Sequence, residues 1–162
     1  MVTVRRAAVE DAAEIVRLRA VMLGSMDGSE PAPGPWQEAT RATLRERLAE
    51  PQGTLGVFVV NAPDRPGELA AVAVGTIERR LGGPANPSGL TGYVFNVVTD
   101  PAYRRRGYSR ACLEALLDWY QKHGVGKVDL RASAEGEPLY RSLGFVPTPG
   151  PTLRLTLPPA PG

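Results

Sequence analysis

Cysteine and histidine are almost absent from this chain. One of each, Cys112 and His123, stands among 162 residues. A lone cysteine excludes an internal disulfide framework, and the two together cannot build a Cys/His zinc site, so no metal centre is expected. Nucleophilic chemistry of the Ser-His-Asp or Cys-His kind would have to rest wholly on His123. No apolar run approaches the ~18–20 residues that cross a bilayer. The opening Val2-Thr3-Val4-Arg5-Arg6 lacks the apolar core of a secretory signal. A cytoplasmic protein with no membrane partner is therefore expected. A large charge of one sign is missing too. The 19 Lys and Arg against 17 Asp and Glu leave only +2, far too little for bulk nucleic-acid binding. Aromatic residues, at 6%, are too sparse for the stacking platforms of a single-strand binder, so no nucleic-acid partner is expected.

What is present reads as a globular chain. The 43% hydrophobic and 22% charged residues fall in the ordinary range. The length suits one domain, taken as residues 1–162, which can bury roughly two-thirds of its unfolded surface. Only Lys122 and Lys127 are lysines, so the positive charge is nearly all guanidinium, the group suited to fixed bidentate anion contacts.

Hydrophobic period and turn residues give a coarse map. Val2 to Arg6 reads as a first strand. A helix follows from Asp11, with Ile15, Leu18 and Met22 on one face, and Gly24 is expected to end it. The stretch from Gly24 to Pro35 reads as a flexible connection, and Pro35 opens a second helix that Pro51 closes. Thr54 to Asn61 and Glu68 to Ile77 read as an antiparallel hairpin about a Pro-Asp-Arg-Pro-Gly turn. An irregular loop from Gly82 to Leu90 precedes a strand from Thr91 to Thr99. A helix from Tyr108 to His123 buries Cys112, Leu113, Leu116, Leu117 and Tyr120. Lys127 to Ala132 is a further strand and Glu137 to Leu143 a short helix. Phe145-Val146 and Leu153 to Leu157 would be two last strands. One crossover helix among hairpins implies a largely antiparallel sheet holding one parallel pair.

The stretch from Tyr93 to Gly107 carries the chemistry. A strand runs into a turn of Arg104, Arg105, Arg106 and Gly107, then into a helix. The first turn of a helix leaves its N–H groups unpaired, and the macrodipole adds about half a positive charge there. Gly107 opens the backbone to a phosphate, and three arginines surround it. A solvated basic turn would have the same composition. No Walker loop and no Rossmann fingerprint occurs.

Arg104-x-x-Gly107-x-Ser109, after Val98-Thr99-Asp100-Pro101, resembles motif A of the GNAT superfamily of N-acetyltransferases, Q/R-x-x-G-x-G/A. Leu139-Tyr140-Arg141-Ser142-Leu143-Gly144-Phe145 resembles the family's motif B, L-Y-x-x-x-G-F. Both stand in the family's order. The resemblance implies an α/β (α+β) fold: a mixed, mostly antiparallel sheet of about seven strands, splayed between the fourth and fifth and flanked by four helices. It implies acetyl-CoA as acyl donor in that gap. The pantetheine arm would pair with backbone at Val97, Val98 and Thr99. The pyrophosphate would rest on the turn and helix start formed by Arg104, Arg105, Arg106, Gly107, Tyr108, Ser109 and Arg110. Ser109 departs from the usual Gly or Ala. Ser133 stands where relatives often carry a cofactor-contacting Asn.

Direct acetyl transfer needs a neutral amine and a proton for the leaving thiolate. By resemblance Tyr140 supplies that proton; without the family it would read as a core aromatic beside Leu143 and Phe145. The strand from Thr91 to Thr99 holds no carboxylate to serve as base. Its odd polar residue, Asn96, either holds a water or the acceptor, or satisfies a bulge. Glu78 and Asp129 read as surface carboxylates, His123 as a helix-end residue, and Cys112 as core. Trp36 could wall the acceptor pocket, and Asp27 and Glu30 would suit a cationic amine. The expected partner is a small-molecule or protein amine, and a homodimer is compatible with the family. The competing reading is a non-catalytic acyl-CoA-binding module on the same fold.

Overall fold

The computed structural model describes residues 2–162, which divide into two compact units, residues 2–131 and residues 132–162. The first unit holds one sheet of five strands in sequential order. They are β1 (Arg5–Arg6), β2 (Leu55–Asn61), β3 (Leu69–Arg79), β4 (Leu90–Thr99) and β5 (Lys127–Leu130). The first four are antiparallel, and β5 joins β4 in parallel. Three helices accompany them: α1 (Ala12–Asp27), α2 (Pro35–Leu48) and α3 (Tyr108–Lys122).

Strand alternation sends β2 and β3 side chains to two faces. Val57 and Val59, with their register partners Val74 and Val72, join Ile15, Val16 and Leu18 of α1 and Leu44 of α2 in one core. The other face receives α3, and glycine makes it flat. A Cβ on Gly56 would lie 2.6 Å from the Trp119 ring, one on Gly75 2.0 Å from the Tyr120 hydroxyl, and one on Gly92 2.6 Å from the Tyr120 ring. Tyr120 donates to the Tyr93 carbonyl at 3.3 Å, and Cys112, Leu113 and Leu116 are fully buried beside it. This seating fixes where α3 begins, at the end of β4.

Two boundaries differ from the sequence reading for a stated reason. Gly24 does not end α1, which runs on to Asp27 and stops at Gly28, a left-handed residue (φ 91°) whose N–H returns to the Gly24 carbonyl. Gly24 is needed instead for close approach, since a Cβ there would sit 2.8 Å from Glu30 Cγ. The first strand is shorter than Val2 to Arg6, because only Arg5 and Arg6 pair with β2.

The second unit contains α4 (Glu137–Ser142) and then no regular element. The sheet thus has five strands, not about seven. Phe145-Val146 and Leu153 to Leu157 form no ladder. Pro147, Pro149 and Pro151 remove amide donors from this stretch, and Val146, Leu153, Leu155 and Leu157 are all largely exposed. The mixed α/β class, the single parallel pair and four helices match expectation.

Candidate active site

The parallel ladder between β4 and β5 runs from Thr91 and Lys127 to Val94 and Leu130 and stops there. β4 continues to Thr99, so one edge of its second half has no β5 partner. A bulge marks the change: Val74 opposes Asn96 and Gly75 opposes Val94, which leaves Phe95 without a β3 partner. Bulges re-aim strands at functional sites. The hydrogen-bond phase assigns the backbone groups. Asp100 donates to the Ala70 carbonyl at 2.8 Å. Alternation along an antiparallel pair then commits Val98 to Val72 of β3 and turns the N–H and C=O of Val97 and Thr99 toward the open edge.

Beyond β4 the chain is pinned before it turns. Asp100 is buried and accepts from Ala102 N–H at 2.9 Å and from Arg17 Nη1 at 2.8 Å. Burial pushes this carboxyl up, but the Ala102 amide and the Arg17 guanidinium together hold it below its ordinary value. Tyr103 is buried, bonds through its hydroxyl to Asp64, and lies under the Arg106 guanidinium, 5.3 Å from its ring centroid. Arg105 (φ 64°) and Gly107 (φ 79°) are both left-handed, and α3 starts directly after them. For Arg105 that conformation is uncommon and costs of order 1–3 kcal/mol. At Gly107 a Cβ would meet nothing within 4 Å, so backbone geometry rather than protein crowding calls for glycine there. The Arg104, Arg105 and Arg106 side chains are exposed and make no ion pair among the described residues. Tyr108 and Ser109 are half-buried in the first turn of α3, and Arg110 is exposed, 3.5 Å from Glu114. The Thr99 and Ser109 hydroxyls hydrogen-bond to each other, joining the open strand to that first turn.

On the α1/α2 face a cavity of about 310 Å³ meets the bulge, with Phe95 and Asn96 in its wall. Asn96 is 2% exposed. Its Oδ1 accepts from Arg19 Nη1 at 2.9 Å, while its Nδ2 has no partner among the described residues. Because a guanidinium only donates, this contact fixes which way the amide faces. Arg19 was not singled out from the sequence. Its signal was its place four residues after Ile15, a charge on the helix face that carries the core. The wall contains no Asp, Glu or His, and Asp27, Glu30 and Trp36 are not part of it. A larger cavity of about 400 Å³ lies at the Thr91 end of β4, lined by the loop after β3, remote from the open edge.

The other candidates fall elsewhere. Glu78 is exposed and paired with Arg80 at 3.2 Å, and the His123 ring contacts the Trp119 carbonyl at 2.8 Å at the end of α3. Cys112 is fully buried, and burial pushes its thiol up to about 12, which suits packing and not nucleophilic attack. Within the second unit Tyr140 lies on α4, edge-on to Phe145 with ring centroids 6.0 Å apart, and burial raises its hydroxyl pKa. Ser133 Oγ accepts from the Gly136 N–H at 3.1 Å, at the entry to α4.

Comparison with known proteins agrees with this anatomy. No helix among the described residues is long and apolar enough to cross a membrane. The chain is 29% identical over 133 residues to glucosamine 6-phosphate N-acetyltransferase 1 of Oryza sativa subsp. japonica, covering 82% of this chain and 78% of that protein. It is 47% identical over 55 residues to the ribosomal protein bS18 alanine N-acetyltransferase of Escherichia coli K12, spanning only 37% of that relative's length. Its fold superposes on a predicted acetyltransferase with acetyl-CoA from Clostridium acetobutylicum with TM-score 0.79, at 24% identity and 96% coverage of both chains. The sequence model of the Acetyltransferase (GNAT) family matches residues 25–145, and the chain belongs to that family.

Proposed function

We propose that this protein is an acetyl-CoA-dependent N-acetyltransferase that moves an acetyl group directly to a primary amine. The observation that carries the reading is the β4 edge left open after Val94, joined through Thr99 and Ser109 to a left-handed, arginine-rich turn at the start of α3. The residues present fit the donor. Val97 and Thr99 offer backbone groups to an extended arm, as a sheet edge does to an added strand. The amides that open α3, with Arg104, Arg105 and Arg106, suit a pyrophosphate, and the space at Gly107 lets it approach the backbone. Ser133 is assigned to the cofactor by the motif alone. When bound, acetyl-CoA supplies an activated acetyl group: the C–S bond breaks as the C–N bond forms, sulfur leaves with the electron pair and gains a proton, and nitrogen loses one.

The chain's own residues then have limited tasks. Tyr140, assigned by motif B, holds a proton at its hydroxyl, and its raised pKa keeps that proton in place through neutral pH. Asn96 positions the acceptor or a water through Nδ2. The cavity wall offers no carboxylate base, so proximity and orientation carry much of the rate. The names of the rice and E. coli relatives, one acting on an amino sugar phosphate and one on an alanine, support an amine acceptor.

Thermal unfolding with and without acetyl-CoA tests the reading. At ~100 times the dissociation constant the ligand adds about 2.7 kcal/mol, a rise of roughly 5–10 °C for a domain of this size. Gly107→Glu, with a side chain forced into left-handed geometry and a negative charge at the turn, should lose that rise. No rise in the parent protein at millimolar acetyl-CoA sinks the proposal.

A further inference from the structure

The cavity beside the bulge carries a cation with no counter-ion. Arg19 is only half exposed at most, and among the described residues its one hydrogen bond is the 2.9 Å contact to Asn96 Oδ1. It makes no ion pair among the described residues, whereas its neighbour on the same helix, Arg17, is paired with both Glu14 and Asp100 at 2.8 Å. Arg47, also in the wall, is already engaged by Thr54 at 3.0 Å and Glu50 at 3.9 Å. The remaining polar wall is Thr40, Thr43 and Thr76, with no acid anywhere in it. A guanidinium has five donors, and here four of them are unspent. The Asn96 Nδ2, buried and unpartnered, adds a donor to the same wall. A buried donor left without an acceptor is costly and therefore rare, so Asn96 Nδ2, in the same wall as the part-exposed Arg19 guanidinium, marks the place of a missing acceptor.

We propose that the acceptor amine also bears an anionic group, a carboxylate or a phosphate, which Arg19 holds in this cavity with help from Asn96. The proposal rests on the acetyltransferase reading and names its substrate class. It departs from the expectation that Asp27 and Glu30 would suit a cationic amine, since neither lines the cavity. Burial holds the Arg19 guanidinium below its ordinary pKa, a cost that a bound anion would offset. Charge on Arg19 does the selecting, so lysine in its place keeps part of the preference and glutamine none.

The test uses matched acceptors on the full chain. Glucosamine 6-phosphate is set against glucosamine, and γ-aminobutyrate against butylamine, so the phosphate and carboxylate arms are read separately. Release of CoA is followed for each, and acetyl-CoA stabilisation is measured alongside. In at least one pair the anionic member should have kcat/KM about tenfold or more above the partner that lacks the anionic group, the range of one charged hydrogen-bonded contact. Arg19→Gln should erase that gap through KM while leaving the acetyl-CoA shift intact, and Arg19→Lys should restore part of it. If no member turns over, the same pairs are read by added thermal stabilisation of the acetyl-CoA-bound protein. Equal behaviour within both pairs, or a gap that survives Arg19→Gln, overturns the proposal. Absence of any acetyl-CoA shift instead overturns the reading beneath it.

Discussion

At the residue scale the proposed function turns on the Tyr140 hydroxyl, which under that reading separates an enzyme from an inert binding module. Burial raises the Tyr140 hydroxyl pKa, so the phenol keeps its proton at neutral pH but is a weaker acid than a free tyrosine, and any service to a leaving thiolate rests on position rather than acidity. Tyr140→Phe keeps the ring and its edge-on contact with Phe145 while deleting the proton. The expected result is a fall in kcat of roughly 10²–10⁴-fold, the usual worth of general acid catalysis, with acetyl-CoA affinity and thermal stability nearly unchanged. Steady-state rates beside an acetyl-CoA titration decide it. An unchanged kcat would return Tyr140 to a packing role. Motif B singles out Tyr140 in the sequence. No motif singles out Arg19, because its contact with Asn96 spans 77 positions and the carboxylate-free wall around it is assembled only by the fold.

One strand edge has to serve two purposes at the scale of the element. The side of β4 facing β3 holds the sheet together, and the side released after Val94 is open to an added strand. Proline distinguishes the two, because it removes one N–H and tolerates extended geometry only where that N–H is not in the ladder. Val97→Pro should therefore fold with near-parent stability and lose most of the acetyl-CoA thermal shift. Val98→Pro, one residue on, removes a β3 ladder bond and should cost about 3 kcal/mol or more, visible in a urea melt without ligand. If the two variants behave alike, the hydrogen-bond phase assigned to β4 is wrong. Elements with a strong period, such as α3 with its stripe from Cys112 to Tyr120, were readable from sequence alone. The bulge at Phe95 was not, since it exists only in the register against β3. The two strands expected after α4 failed because alternation at Leu153, Leu155 and Leu157 says nothing about whether a partner is in reach.

In the first unit as a whole, buried and half-buried carboxylates paired to arginine tie distant segments together. Arg17 joins Glu14 of α1, the Leu69 carbonyl at the start of β3 and Asp100 just past β4. Arg5 of β1 grips Asp11 through two bonds of 2.8 Å and also reaches Asn61 at the end of β2. The Arg17 junction adjoins the end of β4 and the Arg5 links hold the β1/β2 side of the sheet, so acid should loosen the sheet and the end of β4 together. The sign follows from the shifts. The Arg5 guanidinium, with the Ala8 amide, holds Asp11 below its ordinary value against the effect of burial. For Asp100 burial is the largest influence and is outweighed by Ala102 and Arg17. A carboxyl whose folded pKa lies below its unfolded pKa of about 3.9 stabilises the fold fully above that value. The contribution fades as pH falls from about 4 through the folded pKa, where both states are protonated. Urea midpoints measured between about pH 6 and pH 2 should thus stay level down to about 4 and then drop. In Asp100→Asn the plateau should be lower and the drop shallower, because the proton-linked part is already gone. Urea is the right denaturant, since an ionic one would screen the pairs under test. A drop of undiminished size in Asp100→Asn would place the acid sensitivity elsewhere and reduce the Arg17 junction to a local cap.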